Sequence, residues 1–77
     1  MAVYSFYTIM YTKQIYLAGS QRFTARDGCT GINEEYHTPV KEYAAANLMD
    51  YEIEFAKEQG YINETEYAET MSIKYPA

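Results

Sequence analysis

The chain has 77 residues, eleven carboxylates against six lysines and arginines, a formal net charge of −5, ten tyrosines and no tryptophan. That length holds one domain, and the single cysteine, Cys29, excludes a disulfide within the chain and suits a reducing compartment. Net acidity works against direct DNA or RNA binding, which phosphate neutralisation drives, and no apolar run approaches the roughly 20 residues of a membrane span.

The charge is unevenly spread. Residues 1–33 carry Lys13, Arg22 and Arg26 against Asp27, whereas residues 34–77 carry ten carboxylates against Lys41, Lys57 and Lys74. The apolar fraction of 48%, tyrosine included, points to a folded domain rather than a disordered tail. Leucine occurs only at Leu17 and Leu48, so the core must draw on Tyr, Phe, Met and Ile. Pairing with a second copy would relieve that shortage. The opening Met1-Ala2-Val3-Tyr4 has neither a basic n-region nor a cleavage site, so no secretory signal and a cytoplasmic setting are expected.

Residues 3–11 are rich in β-branched and aromatic types, which favours a strand covered on both faces. Thr12-Lys13-Gln14 would then turn, with Ile15-Tyr16-Leu17 starting a return strand. The alternative is a helix over about 5–18 stopped by Gly19 as its left-handed residue. The hairpin is the favoured reading. Asp27-Gly28-Cys29-Thr30-Gly31 carries turn chemistry, and the loop is expected to run to His37.

A long helix is expected over about 39–59, with Thr38 as N-cap, Pro39 at the first helical position and Gly60 as the stop. At about 100° per residue, Val40, Ala44, Leu48, Tyr51 and Phe55 form the core-facing arc. Ala45, Met49, Ile53 and Ala56 form a second arc, to be covered by another element or a partner. Asn63 and Glu66 have capping-box spacing, with Ile62 and Tyr67 at the staple positions, so a short helix is expected over about 64–70. Met71, Ile73 and Tyr75 alternate with polar residues as a short edge strand would, and Pro76 would end it. The fold class expected is therefore α+β: a Tyr-rich N-terminal β-hairpin packed on one long helix, closed by a short C-terminal helix.

Catalytic and metal chemistry find little support. A cysteine nucleophile needs a base within hydrogen-bond reach, and the spacing of Cys29 and His37 carries no known geometry. One Cys and one His cannot close a tetrahedral zinc site without carboxylates or a second chain, and Glu34 and Glu35 beside His37 offer a weak site at most. Gly28 and Gly31 lack the lysine and spacing of a phosphate loop. No cofactor and no enzyme activity are expected. Tyr4, Tyr7, Tyr11 and Tyr16 could stack bases beside Lys13, Arg22 and Arg26, but three cations make a weak electrostatic footprint.

Recognition of another protein is the better supported class. Asp50, Glu54 and Glu58 recur every four residues, about 6 Å apart along the helix, and Tyr43 and Asn47 extend the strip. With Glu35, Tyr36 and Glu42 near the helix start, they form the expected partner-binding set. The competing reading of such a charge run is an ordinary solvated face. The expected partner is a protein with a basic surface, with no direct nucleic acid and no membrane.

Two resemblances bear on this. Gly60-Tyr61-Ile62-Asn63-Glu64-Thr65-Glu66-Tyr67-Ala68-Glu69-Thr70-Met71 resembles the G-x-I-T-x-x-E-Y turn and helix of short phage proteins of the XkdX type, with Asn63 where threonine is usual. In size, acidity and aromatic content the chain is similar to phage anti-CRISPR and related anti-defence inhibitors, a likeness that carries no residue roles. It implies a non-enzymatic inhibitor in the host cytoplasm that occupies a nucleic-acid-binding surface. The alternative is a phage structural, assembly or adaptor protein whose subunits meet through Met49 and Ile53.

Overall fold

A computed structural model describes residues 4–76. Four helices dominate it: α1 (Ser5–Thr12), α2 (His37–Asn47), α3 (Asp50–Glu58) and α4 (Glu64–Lys74). The only ladder among the described residues is a parallel pair, β1 (Gln21–Arg22) with β2 (Thr30–Gly31), in the register Gln21 to Thr30 and Arg22 to Gly31. The expected α+β architecture is thus corrected to a small helical fold.

The N-terminal hairpin is replaced by the alternative helix. α1 continues as a π-helical segment over Lys13–Ala18 and stops at Gly19, which adopts φ 69°. Strand propensity loses here because it reflects packing on a half-buried sheet, and this segment packs on a helix instead. Thr8 and Thr12 face inward, and their hydroxyls donate to the carbonyls of Tyr4 and Thr8 at 3.2 and 2.7 Å. That bond satisfies a buried hydroxyl within the helix itself. Tyr7 and Tyr11, one turn apart, stack at 6.0 Å, and Tyr11 meets Tyr36 edge-on at 5.2 Å.

Between the helical ends lies the loop that Asp27-Gly28 foretold. Arg26 and Cys29 exchange backbone hydrogen bonds of 3.2 and 2.9 Å. Asp27 and Gly28 between them have φ of 55° and 76°, as a type I′ turn requires. Glu34–Tyr36 then forms a 3₁₀ turn that runs straight into α2. Helix therefore starts before Thr38, which caps nothing. Pro39 falls within the first turn, where its missing N–H has no intrahelical acceptor to lose.

The expected helix 39–59 is broken. Leu48 and Met49 are extended, with φ/ψ of −93°/150° and −78°/157°, although neither Gly nor Pro is present. The break is held from both sides. Glu52 reaches back to accept the Met49 N–H at 2.8 Å, half of a capping box. The Leu48 carbonyl, freed from helical bonding, accepts from the Lys74 ammonium at the far end of α4. Asp50 and Glu52 are first-turn acids that favour the α3 dipole. Two extended residues reset the helical phase, so the arcs drawn on an unbroken wheel are exchanged in α3. Ile53 and Ala56 are buried, while Tyr51 and Phe55 face outward.

The core gathers Ile15, Tyr16, Phe23, Tyr36, Val40, Ala44, Ile53, Ala56 and Ile62. Tyr16 is fully enclosed, its hydroxyl 2.7 Å from that of Thr70, and burial pushes its phenol well above the ordinary range. The Asn63–Glu66 capping box forms with two bonds of 2.8 Å. α4 then runs to Lys74 rather than stopping at 70, so the edge strand is also corrected. Thr70 spends its hydroxyl on the Glu66 carbonyl at 2.8 Å, and the Tyr75 N–H donates to the Met71 carbonyl at 2.8 Å. Alternation over five residues is too short a pattern to separate strand from helix.

Candidate protein-binding surface

On α3 the buried Ile53 and Ala56 define the inward direction. At about 100° per residue, Tyr51, Glu54, Phe55 and Glu58 point the opposite way. Tyr51 is 70% exposed and Phe55 49%. Beside them lies a groove of about 360 Å³ lined by Tyr16, Leu17, Tyr51, Glu52, Phe55 and Glu58. Leu17 follows the fully buried Tyr16 near the end of the π-helical segment and is itself exposed. Phe55 meets Tyr61 edge-on at 6.2 Å, and the Arg22 guanidinium lies 5.5 Å over the Tyr61 ring, which backs the outer wall.

The carboxylates divide by use. Among the described residues, Asp27, Asp50, Glu66 and Glu69 enter ion pairs, and Glu52 caps α3. Glu54 and Glu58 do neither and are exposed. Of the cations, Arg22 and Arg26 lie 3.6 and 3.4 Å from Asp27, and Arg26 also reaches Glu66 at 3.6 Å. Lys41 pairs with Glu69 at 2.5 Å, and Lys57 sits 4.5 Å over the Tyr67 ring. The basic residues of the front half are therefore spent largely on the chain's own acids.

The expected site is divided by the break. Asp50 is not a free member of the ridge: Lys74 pairs with it at 2.9 Å, and the Tyr75 hydroxyl donates to its two oxygens at 3.0 and 2.8 Å. Tyr36 is buried in the core, its hydroxyl accepting from the Tyr4 N–H at 3.1 Å, so its ring is not displayed. Tyr43 is half-buried beside a second cavity of about 330 Å³ with Ser5, Thr8, Ile9 and Pro39. Glu42 is exposed on α2 and Glu35 half-buried in the 3₁₀ turn. Ile53, expected at a subunit interface, is fully buried. Glu54 and Glu58 remain together on α3, and the structure adds Tyr51 and Phe55, which the unbroken wheel turns toward the core, and Leu17, to which the strand reading gives no face. The available signal was Asp50-x-Glu52, an acidic first turn behind a possible helix start.

The contacts of Asp50 with Lys74 and Tyr75 clamp the start of α3 to the end of α4, and they make this clamp pH-sensitive. Hydrogen bonding to Lys74, then to Tyr75, holds its carboxyl below the ordinary 3.8, and the bond to Asp50 raises Tyr75 above its ordinary 10.0. A depressed carboxyl contributes stability that is present above 3.8 and lost as pH falls through the depressed value. A raised phenol contributes stability that is present below 10.0 and lost as pH rises through the raised value. Thermal melts should therefore separate the native chain from Asp50→Asn most at neutral pH and bring them together in acid. A gap that persists undiminished in acid would show that Asp50 ionisation does not support the clamp.

Cys29 and His37 are engaged separately. The His37 Nε2 donates to the Phe23 carbonyl at 2.7 Å, which fixes a proton on that nitrogen. The Cys29 sulfur lies 3.8 Å from the carbonyls of Gly19 and Asp27. Among the described residues, no three of His, Cys, Asp or Glu gather as metal ligands would, and no helix is long and apolar enough to cross a membrane. Comparison with protein-family models, curated proteins and solved structures finds no match to this chain.

Proposed function

We propose that this chain is a small acidic protein-binding inhibitor that acts without catalysis, docking the outer face of α3 on a basic surface of its partner. The observation that carries this reading is the pairing, on one helix face, of two exposed rings with two carboxylates that no cation of the described chain neutralises. Aromatic side chains supply contact area at low conformational cost, and unpaired carboxylates steer approach and select a basic partner. A surface that otherwise holds nucleic acid is the natural complement. Anti-CRISPR and other phage anti-defence inhibitors in a host cytoplasm work in this way, and the proposal extends to that biology.

Its test is the double charge reversal Glu54→Lys with Glu58→Lys, measured against a basic partner captured from host lysate. Loss of about tenfold or more in affinity, steeper at low salt and with an unchanged melting temperature, is expected. Unchanged affinity would remove α3 from the interface.

A second reading, a phage assembly or adaptor protein, draws on α1. That helix turns Thr8 and Thr12 inward, and Tyr4, Phe6 and Tyr7 at its start are largely exposed. A defined oligomer in solution, lost on Phe6→Ser, would favour it.

A further inference from the structure

We propose that the groove beside α3 is an arginine site, receiving one guanidinium side chain from the partner protein. This rests on α3 being the docking face and goes further by naming what enters it. Leu17, Tyr51 and Phe55 give the groove an apolar and aromatic lining, and Glu52 and Glu58 add two carboxylates to it. One Glu52 oxygen accepts the Met49 N–H, and among the described residues the other has no hydrogen-bond partner and Glu58 has no ion pair.

Charge decides the occupant. A purely apolar side chain would strip water from two carboxylates and give nothing in return. An anion would be repelled outright. A cation meets ring faces and carboxylates together, and both interactions strengthen as water leaves. Arginine fits better than lysine, because its planar, weakly hydrated guanidinium can lie on a ring while its fork engages a carboxylate. The groove, about 360 Å³, has the size of a small ligand pocket and accepts a whole side chain.

The same chemistry recurs inside the molecule, with the rings already taken. Arg22 covers Tyr61 at 5.5 Å, Lys41 lies 5.1 Å over Phe23 and Lys57 lies 4.5 Å over Tyr67. Among the described residues Tyr51 has neither a cation nor another ring beside it.

The probe is acetyl-arginine amide, with its neutral citrulline counterpart as control, titrated into the full chain at low salt and followed by NMR. Shifts confined to Leu17, Tyr51, Phe55 and Glu58 are expected, with citrulline weaker by about tenfold and lysine amide between them. Tyr51→Ala and Glu58→Gln should each weaken the arginine response, and both sites are exposed enough to leave the fold intact. Shifts elsewhere, or equal shifts from citrulline, would overturn the site. If charge reversal at Glu54 and Glu58 abolishes partner binding while the arginine probe leaves the groove unmoved, the site is wrong and the docking face stands. If the probe fills the groove while charge reversal leaves partner affinity unchanged, the groove holds a free guanidinium but the partner does not use it, and both the docking face and the partner arginine are overturned.

Discussion

Truncating Ile53 to alanine should cost about 2–5 kcal/mol, whereas the same truncation at Phe55 should cost about 1 kcal/mol or less. Ile53 is fully buried in the core cluster, so its loss removes apolar burial and leaves a cavity. Phe55 is half exposed, and its described aromatic partner is the edge of Tyr61 at 6.2 Å. In a domain of this size each kcal/mol moves the melting temperature by about 4–8 °C, so the two variants separate in a simple melt. An unbroken helix would invert the order. Equal or inverted costs would mean that α3 is not rotated as described.

Gly19→Ala carries the second large expected effect. Gly19 ends the N-terminal helix at φ 69°, a region that costs an alanine roughly 1–2 kcal/mol. Its missing side chain also makes room for Tyr61, whose Cε1 would lie 2.3 Å from an added Cβ. The ring would have to move, and with it the wall that touches Phe55 and supports Arg22. Displacement in a packed region adds about 1–3 kcal/mol. Gly28→Ala is the control, because φ is 76° there and nothing lies within 4 Å. Urea unfolding should show Gly19→Ala costing more than Gly28→Ala. Equal losses would mean that Tyr61 does not pack on Gly19.

What could be read from the residues, and what could not, follows the range of each signal. The Asn63–Glu66 capping box and the Asp27-Gly28 turn are settled by a few adjacent residues, and both form as their chemistry requires. Gly19 carried the correct N-terminal answer, but only as the alternative, because strand-loving Val, Tyr and Phe outweighed it. The inward Thr8 and Thr12 explain why propensity misled: the fold buries their hydroxyls on their own helix and exposes Tyr4, Phe6 and Tyr7.

The break at Leu48–Met49 was the costlier miss. Neither a glycine nor a proline marks it. It is held by Lys74 and Tyr75, some 25 residues away in sequence, acting on Leu48 and Asp50. A contact of that separation leaves no local pattern. The candidate site inherited the error: Asp50 was drawn as a free carboxylate, whereas it closes the clamp that turns Tyr51 and Phe55 outward. Glu54 and Glu58 kept their place because exposed acids four residues apart share a face whether the helix is long or short.

Everything proposed for α3 depends on which way its side chains point. Relaxation by a soluble paramagnetic agent, read at the side chains of Ile53, Tyr51 and Phe55 in the full chain, measures this directly. The result expected is strong relaxation at Tyr51 and Phe55 with Ile53 shielded. Shielded rings beside a relaxed Ile53 would restore the continuous helix and remove the docking face.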